Sequence, residues 1–257
     1  MAAAVVCSRK YASNHKRTRS DKWETVRERL LARRICDLGL RLKGSPVEPF
    51  IQQLRRELAA KGLDFAPAFY LTDSWGCPDR VPTIGIPFYL VNGSLGRIEK
   101  EQTGNLEDVQ TVMQLLRHEA GHAINYAFRL WEQPDWKKTF GPFSKPYRDD
   151  FQPDPRSRSF VRHICSCLYR YTYAQKHPDE DFAETFAVWL TPRSGWRRKY
   201  RDWPAIRKLR YVDRLMHAIS GQAPLCRRGK LVNPVSRLTM PLGEHYRRQA
   251  REYGRTA

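Results

Sequence analysis

The sequence predicts an α/β (α+β) fold: a small twisted sheet with an edge strand, packed on one long helix, followed by a mainly helical C-terminal part. Three observations predict it. Residues 65–72 and 81–92 read as strands around the turn-rich Asp73-Ser74-Trp75-Gly76-Cys77-Pro78-Asp79. Residues 107–131 carry apolar side chains at helical spacing: Val109, Val112, Met113, Leu116, Ala120, Ala123, Ile124, Ala127 and Leu130. Beyond residue 179 the pattern is helical, broken by basic connectors.

In chain order, residues 1–20 are small and basic and read as a disordered N-terminus. Residues 21–257 then form a single domain with its core at about 65–217. A helix is expected from 21 to 40, with Asp21 as N-cap, and a second from 47 to 61, ended by Gly62. The strand at 81–92 places Ile84, Ile86, Phe88 and Leu90 on one side. Pro82 and Pro87 cannot donate ladder hydrogen bonds, which confines it to a sheet edge. Residues 132–160 read as an extended loop, rich in proline and aromatic residues, that walls a cleft. Further helices are expected at 159–173, 179–190 and 205–219, with a terminal one near 244–252.

The 257-residue chain is 41% hydrophobic, which suffices for a packed core. No apolar run approaches the ~20 residues of a membrane span, and the start is short for a signal peptide, so a cytoplasmic location is expected. The cysteines are scattered without a C-x-x-C pair and read as free thiols. Lys and Arg number 46 against 27 Asp and Glu, a formal charge of +19. No DNA-reading motif accompanies this charge, so the expected consequence is weak, salt-sensitive attraction to nucleic acid.

The chemistry concentrates in Leu116-Arg117-His118-Glu119-Ala120-Gly121-His122-Ala123-Ile124, an H-E-x-x-H motif. On a helix His118 and His122 share one face, one turn apart, and can reach one Zn²⁺. Glu119 lies beside them as a general base for an activated water. Small residues at 120, 121 and 123 let another element approach closely, which would offset the helix propensity that Gly121 gives up.

A catalytic zinc site takes a third protein ligand, and Phe128 rules out a continuation to a third histidine within the motif. The candidate stretch is Tyr173-Ala-Gln-Lys-His-Pro-Asp-Glu180-Asp-Phe-Ala-Glu184-Thr-Phe-Ala-Val-Trp189. Glu180 and Glu184 stand one helical turn apart. From residue type alone, either can bind the metal while the other orients a histidine through its far nitrogen. His177 could ligate by residue type.

Together these two segments resemble zinc metallopeptidases of the gluzincin type, most nearly bacterial ones carrying H-P-D-E-D-F-A-E-T-F-A. More distantly they resemble the catalytic domains of lethal-factor-type toxins and Pro-Pro endopeptidases. The resemblance implies a zincin-like fold and a zinc peptidase, with one Zn²⁺ per chain held by His118, His122 and Glu180. It implies Glu184 as the partner of a ligating histidine, Tyr173 as a hydroxyl beside the reacting carbonyl, and His177 as part of a His-Pro helix entrance. Tyr169 and Tyr171 lie close to Tyr173, so its selection rests on the family's spacing of seven residues before the glutamate ligand. The expected substrate is a peptide or protein, laid along the edge strand. Two rivals remain at this level: a nucleic-acid-associated zincin acting as protease or regulator, and an inactive zinc-bound interaction module.

Overall fold

The computed structural model describes residues 21–147, 151–164 and 172–256. The expected disordered 1–20, together with Cys7, Cys165, Cys167, Tyr169 and Tyr171, lies outside them. The fold is mostly helical with a small parallel sheet. No helix of the described residues is long and apolar enough to cross a membrane.

The chain divides into two compact units. One gathers Met1–Leu40, Tyr89–Leu106 and Val235–Ala257. It holds α1 (21–32), α3 (Gly93–Thr103) and α9 (Leu242–Thr256). The stretch after α1 bends into a 3-10 turn at Ile35–Asp37, because Ile35 N and Cys36 N donate to Met240 O and Leu238 O at 3.1 and 3.0 Å. The helix expected to 40 therefore stops at 32. The Tyr246 hydroxyl ties α9 to Glu99 Oε2 of α3 at 2.8 Å.

The second unit, Arg41–Phe88 and Glu107–Pro234, carries the chemistry. It contains α2 (Glu48–Ala60), β1 (Ala68–Thr72), β2 (Thr83–Pro87), α4 (Val109–Phe128), α5 (Pro134–Phe140), α6 (Pro178–Leu190), α7 (Trp196–Lys199) and α8 (Ile206–Ile219). β1 and β2 are parallel in the register Ala68↔Thr83 to Thr72↔Pro87. The loop between them crosses to the far side of β2, where Gly85 N donates to Gly76 O at 2.8 Å. Gly85 is therefore sandwiched: a Cβ there would meet Thr72 Cγ2 at 2.7 Å and Gly76 O at 2.9 Å.

The strand expected at 81–92 is shorter than its alternation suggested. It ends at Pro87, turns through a 3-10 segment at Phe88–Val91 and enters α3. Asn92 starts that helix, its side chain accepting from Ser94 N and Leu95 N. The alternation failed as a guide because β2 is buried along its whole length, with no solvent face to set a period.

α4 and α6 pack tightly at Gly121, where a Cβ would lie 2.7 Å from Ala183 Cα. Phe182 and Phe186 of α6 and Leu116 and Ile124 of α4 are fully buried. The aromatic loop at 132–160 contains α5 rather than being wholly irregular, with Pro134 in its first turn and Trp136 buried. The helix expected at 159–173 is absent from its described part. Residues 159–164 are irregular and give their backbone donors elsewhere: Arg162 N to the Tyr200 hydroxyl at 3.0 Å, Ile164 N to Glu184 Oε2 at 2.9 Å.

Candidate metal centre

α4 carries His118, Glu119 and His122 into the floor of a cleft. Its register is anchored from both sides. Asp108 caps its start by accepting from Thr111 N at 2.7 Å. Glu57 of α2 holds Arg117 through two hydrogen bonds of 2.7 Å each, a buried bidentate pair directly beside His118.

α6 delivers the opposing carboxylates. His177 is its N-cap: Nδ1 accepts from Asp179 N at 3.1 Å, and Nε2 donates to Lys145 O at 2.8 Å. Both ring nitrogens are thereby used, and His177 is a helix entrance rather than a ligand. Pro178 follows at the first helical position, where its missing N–H costs nothing. Asp179, Glu180, Asp181 and Glu184 are all buried.

The central geometry is a triangle. His118 Nε2 and His122 Nε2 are 3.1 Å apart, and Glu180 Oε2 lies 3.0 Å from the first and 3.3 Å from the second. Behind it, His118 Nδ1 is 2.9 Å from Glu184 Oε1, and His122 Nδ1 is 2.8 Å from Asp179 Oδ2. An ionised carboxylate only accepts, so each Nδ1 carries a hydrogen, and each Nε2 faces the centre, where it offers a lone pair once its proton gives way to a metal ion. Two Nε2 atoms and a carboxylate oxygen thus converge. The triangle edges approach the about 3.3 Å expected between ligands of a tetrahedral ion with bonds of about 2.0–2.1 Å. His118, His122 and Glu180 therefore form a buried group that could hold a metal ion, the one such group found among the described residues.

The electrostatics agree with this. Burial works against a charged His118, yet hydrogen bonds to Glu180 and Glu184 push it up to about 10. Burial likewise opposes a charged His122, but Asp179 and Glu180 raise it well above the ordinary value. Glu180 is held well below the usual carboxylate range by the two histidines, against its own desolvation. The pocket demands positive charge at its centre, which protons supply in the metal-free chain and a cation would supply in their place.

The surrounding groups are equally placed. Asp179 accepts from Asn125 Nδ2 at 2.7 Å and from the Tyr126 hydroxyl at 2.5 Å, besides His122. Glu184 spends its second oxygen on Ile164 N at 2.9 Å. Glu180 Oε1 accepts from the Tyr147 hydroxyl and, at 3.4 Å, from the Tyr173 hydroxyl; the two hydroxyls are 3.5 Å apart. Glu119 is buried and its Oε2 has no hydrogen-bond partner among the described residues. It lines a cleft of about 530 Å³ together with the metal-group residues, Trp75, Gly76, Cys77 and Tyr147.

All the singled-out residues, His118, Glu119, His122, Tyr173, Glu180 and Glu184, meet in this one place. Sequence reasoning missed Asp179 and Tyr147. Asp179 was visible only as an acidic residue in a helix first turn, and the signal available was a second carboxylate next to Glu180. Tyr147 gave no signal, because it reaches the site from the aromatic loop with no fixed spacing to either motif.

Comparison with known proteins points to this same region. Residues 93–195 match the family described as "Putative zinc-binding metallo-peptidase". No curated protein and no solved structure matches the chain.

Proposed function

We propose that the protein is a zinc-dependent metallopeptidase in which His118, His122 and Glu180 hold one Zn²⁺ per chain. The observation that carries this reading is the convergence of three buried ligand atoms, each histidine backed by a carboxylate, beside Glu119, which lines the same cleft and has a partnerless Oε2. Bound there, zinc would act as a Lewis acid on a carbonyl oxygen and lower the pKa of a water to about 7.

The chain's own residues supply the rest. Glu119 is the general base: its carboxylate accepts the proton of the attacking water and later hands it to the leaving amine. The Tyr173 hydroxyl, near Glu180 Oε1, donates to the substrate carbonyl oxygen as negative charge develops there. Tyr147 stands beside it and orients the same carboxylate. Asp179 and Glu184 keep both imidazoles in the tautomer that points Nε2 forward. The outer edge of β2 is met at Gly85 by Gly76, so the substrate peptide is placed along the Trp75-Gly76-Cys77 rim of the cleft rather than on β2 itself.

The test compares zinc-loaded protein with its Glu119→Gln form on a proteome-derived peptide library, with metal content measured on both. The expected result is cleavage by the first only, at equal zinc content. Equal zinc with no cleavage by either would favour the inactive interaction module and sink the peptidase reading.

A further inference from the structure

The active-site cleft leaves most of the charge of +19 unused. Part of it is concentrated in a separate groove of about 570 Å³ within the second unit, between α5 and α8. Lys138 and Ser159 stand on one side. Arg207, Arg210, Tyr211 and Arg214 come from α8, at spacings that put them along one helical face. No carboxylate is among the described residues that line it. A fifth cation, Lys208, is turned inward onto Asp181 at 2.5 Å and is spent there. Arg207, Arg210, Arg214 and Lys138, by contrast, are exposed and enter no ion pair among the described residues.

Guanidinium groups in a row along one face repel one another, and an anion laid across them relieves that repulsion. Tyr211 belongs to the same row, and its half-buried side chain lines the groove. The Tyr211 hydroxyl is shut off from solvent and has no hydrogen-bond partner among the described residues. A concave groove with guanidinium forks and an aromatic ring offers bidentate contacts to phosphate and planar faces for bases. An acidic peptide would use the charge but leave the stacking faces idle.

We propose that this groove binds the phosphate backbone of a single nucleic acid strand, at a site separate from the metal centre. Arg207, Arg210 and Arg214 contact successive phosphates, Lys138 closes the opposite wall, and Tyr211 offers its ring to a base. Binding there is sequence-tolerant and tethers the enzyme to nucleic acid without engaging the cleft.

The experiment uses the full zinc-loaded chain and a fluorescently labelled single-stranded DNA oligonucleotide, read by anisotropy across a salt series. One variant carries Arg207→Gln, Arg210→Gln and Arg214→Gln. A control carries Arg247→Gln, Arg248→Gln and Arg251→Gln on α9, with the same change in net charge. The groove variant should lose affinity about tenfold or more, and its log–log salt slope should shrink by about 2, from roughly 0.7 for each phosphate no longer neutralised. The α9 variant should bind nearly as the parent does, and both should keep their zinc. Equal weakening in the two variants would reduce the effect to net charge and overturn the site. Displacement of the oligonucleotide by poly-glutamate as readily as by unlabelled oligonucleotide would assign the groove to acidic peptides and overturn the nucleic-acid reading.

Discussion

Glu180 and Glu184 show how one helix turn separates two carboxylates that residue type cannot distinguish. Glu180 Oε2 faces both Nε2 atoms, whereas Glu184, with no exposure, accepts from His118 Nδ1 and from Ile164 N. Their substitutions should therefore differ in kind. Glu180→Gln removes an anionic ligand atom and should strip most of the zinc. Glu184→Gln keeps the shape but sets an amide donor against either the imidazole N–H or the Ile164 N–H. That leaves a buried donor unmatched, worth about 1–3 kcal/mol, and should cost roughly 10–100-fold in zinc affinity. Competition with a chromophoric chelator measures both. Zinc retained by Glu180→Gln and lost by Glu184→Gln would exchange their roles. The histidine spacing and the carboxylate pair were readable in the sequence because helical geometry fixes them. Asp179 was not, since its partner His122 lies on another helix 57 residues away.

At the level of elements, the metal centre exists because two helices approach closely enough to share it, and Gly121 is where they do. A methyl there would meet backbone, Ala183 Cα at 2.7 Å and its carbonyl oxygen at 3.0 Å, so nothing flexible can yield. Gly121→Ala would raise helix propensity by about 1 kcal/mol in an isolated helix. In this fold it should instead destabilise by about 1–3 kcal/mol through overpacking. The shift also moves α6 away from α4, so zinc affinity should fall although no ligand has changed. Denaturant unfolding of the metal-free protein reads the first effect and zinc titration the second. A variant as stable as the parent, with unchanged affinity, would mean that the helices part without cost. Gly121 as a close-approach position was legible from its small neighbours. The fate of 159–164 was not: its apolar spacing suits a helix, but the N–H groups of Arg162 and Ile164 are claimed by Tyr200 and Glu184, partners that only the folded chain brings near.

Across the whole molecule, His118 and His122 on one helix meet Glu180 on another some sixty residues later, and a metal held there would be the last stitch rather than the first. Leu116 and Ile124 on α4 and Phe182 and Phe186 on α6 are completely buried. Each contributes about 1.5–3 kcal/mol of transfer free energy. The core therefore does not wait for metal, and the chain should stay folded when a chelator removes it, keeping its far-ultraviolet circular dichroism. What metal adds is linkage. An ion that binds the folded chain and not the unfolded one stabilises by about 2.7 kcal/mol at a hundred times its Kd, and the gain grows with the logarithm of free zinc. For a chain of this size that corresponds to a rise in Tm of about 5–10 °C on zinc loading. Glu119→Gln should show the same rise, because Glu119 is not one of the three converging residues, and Glu180→Gln should show little of it. A Tm that does not move with zinc in the parent protein, at a measured content of one ion per chain, would place the ion somewhere that folding does not create, and the His118–His122–Glu180 centre would lose its claim to it.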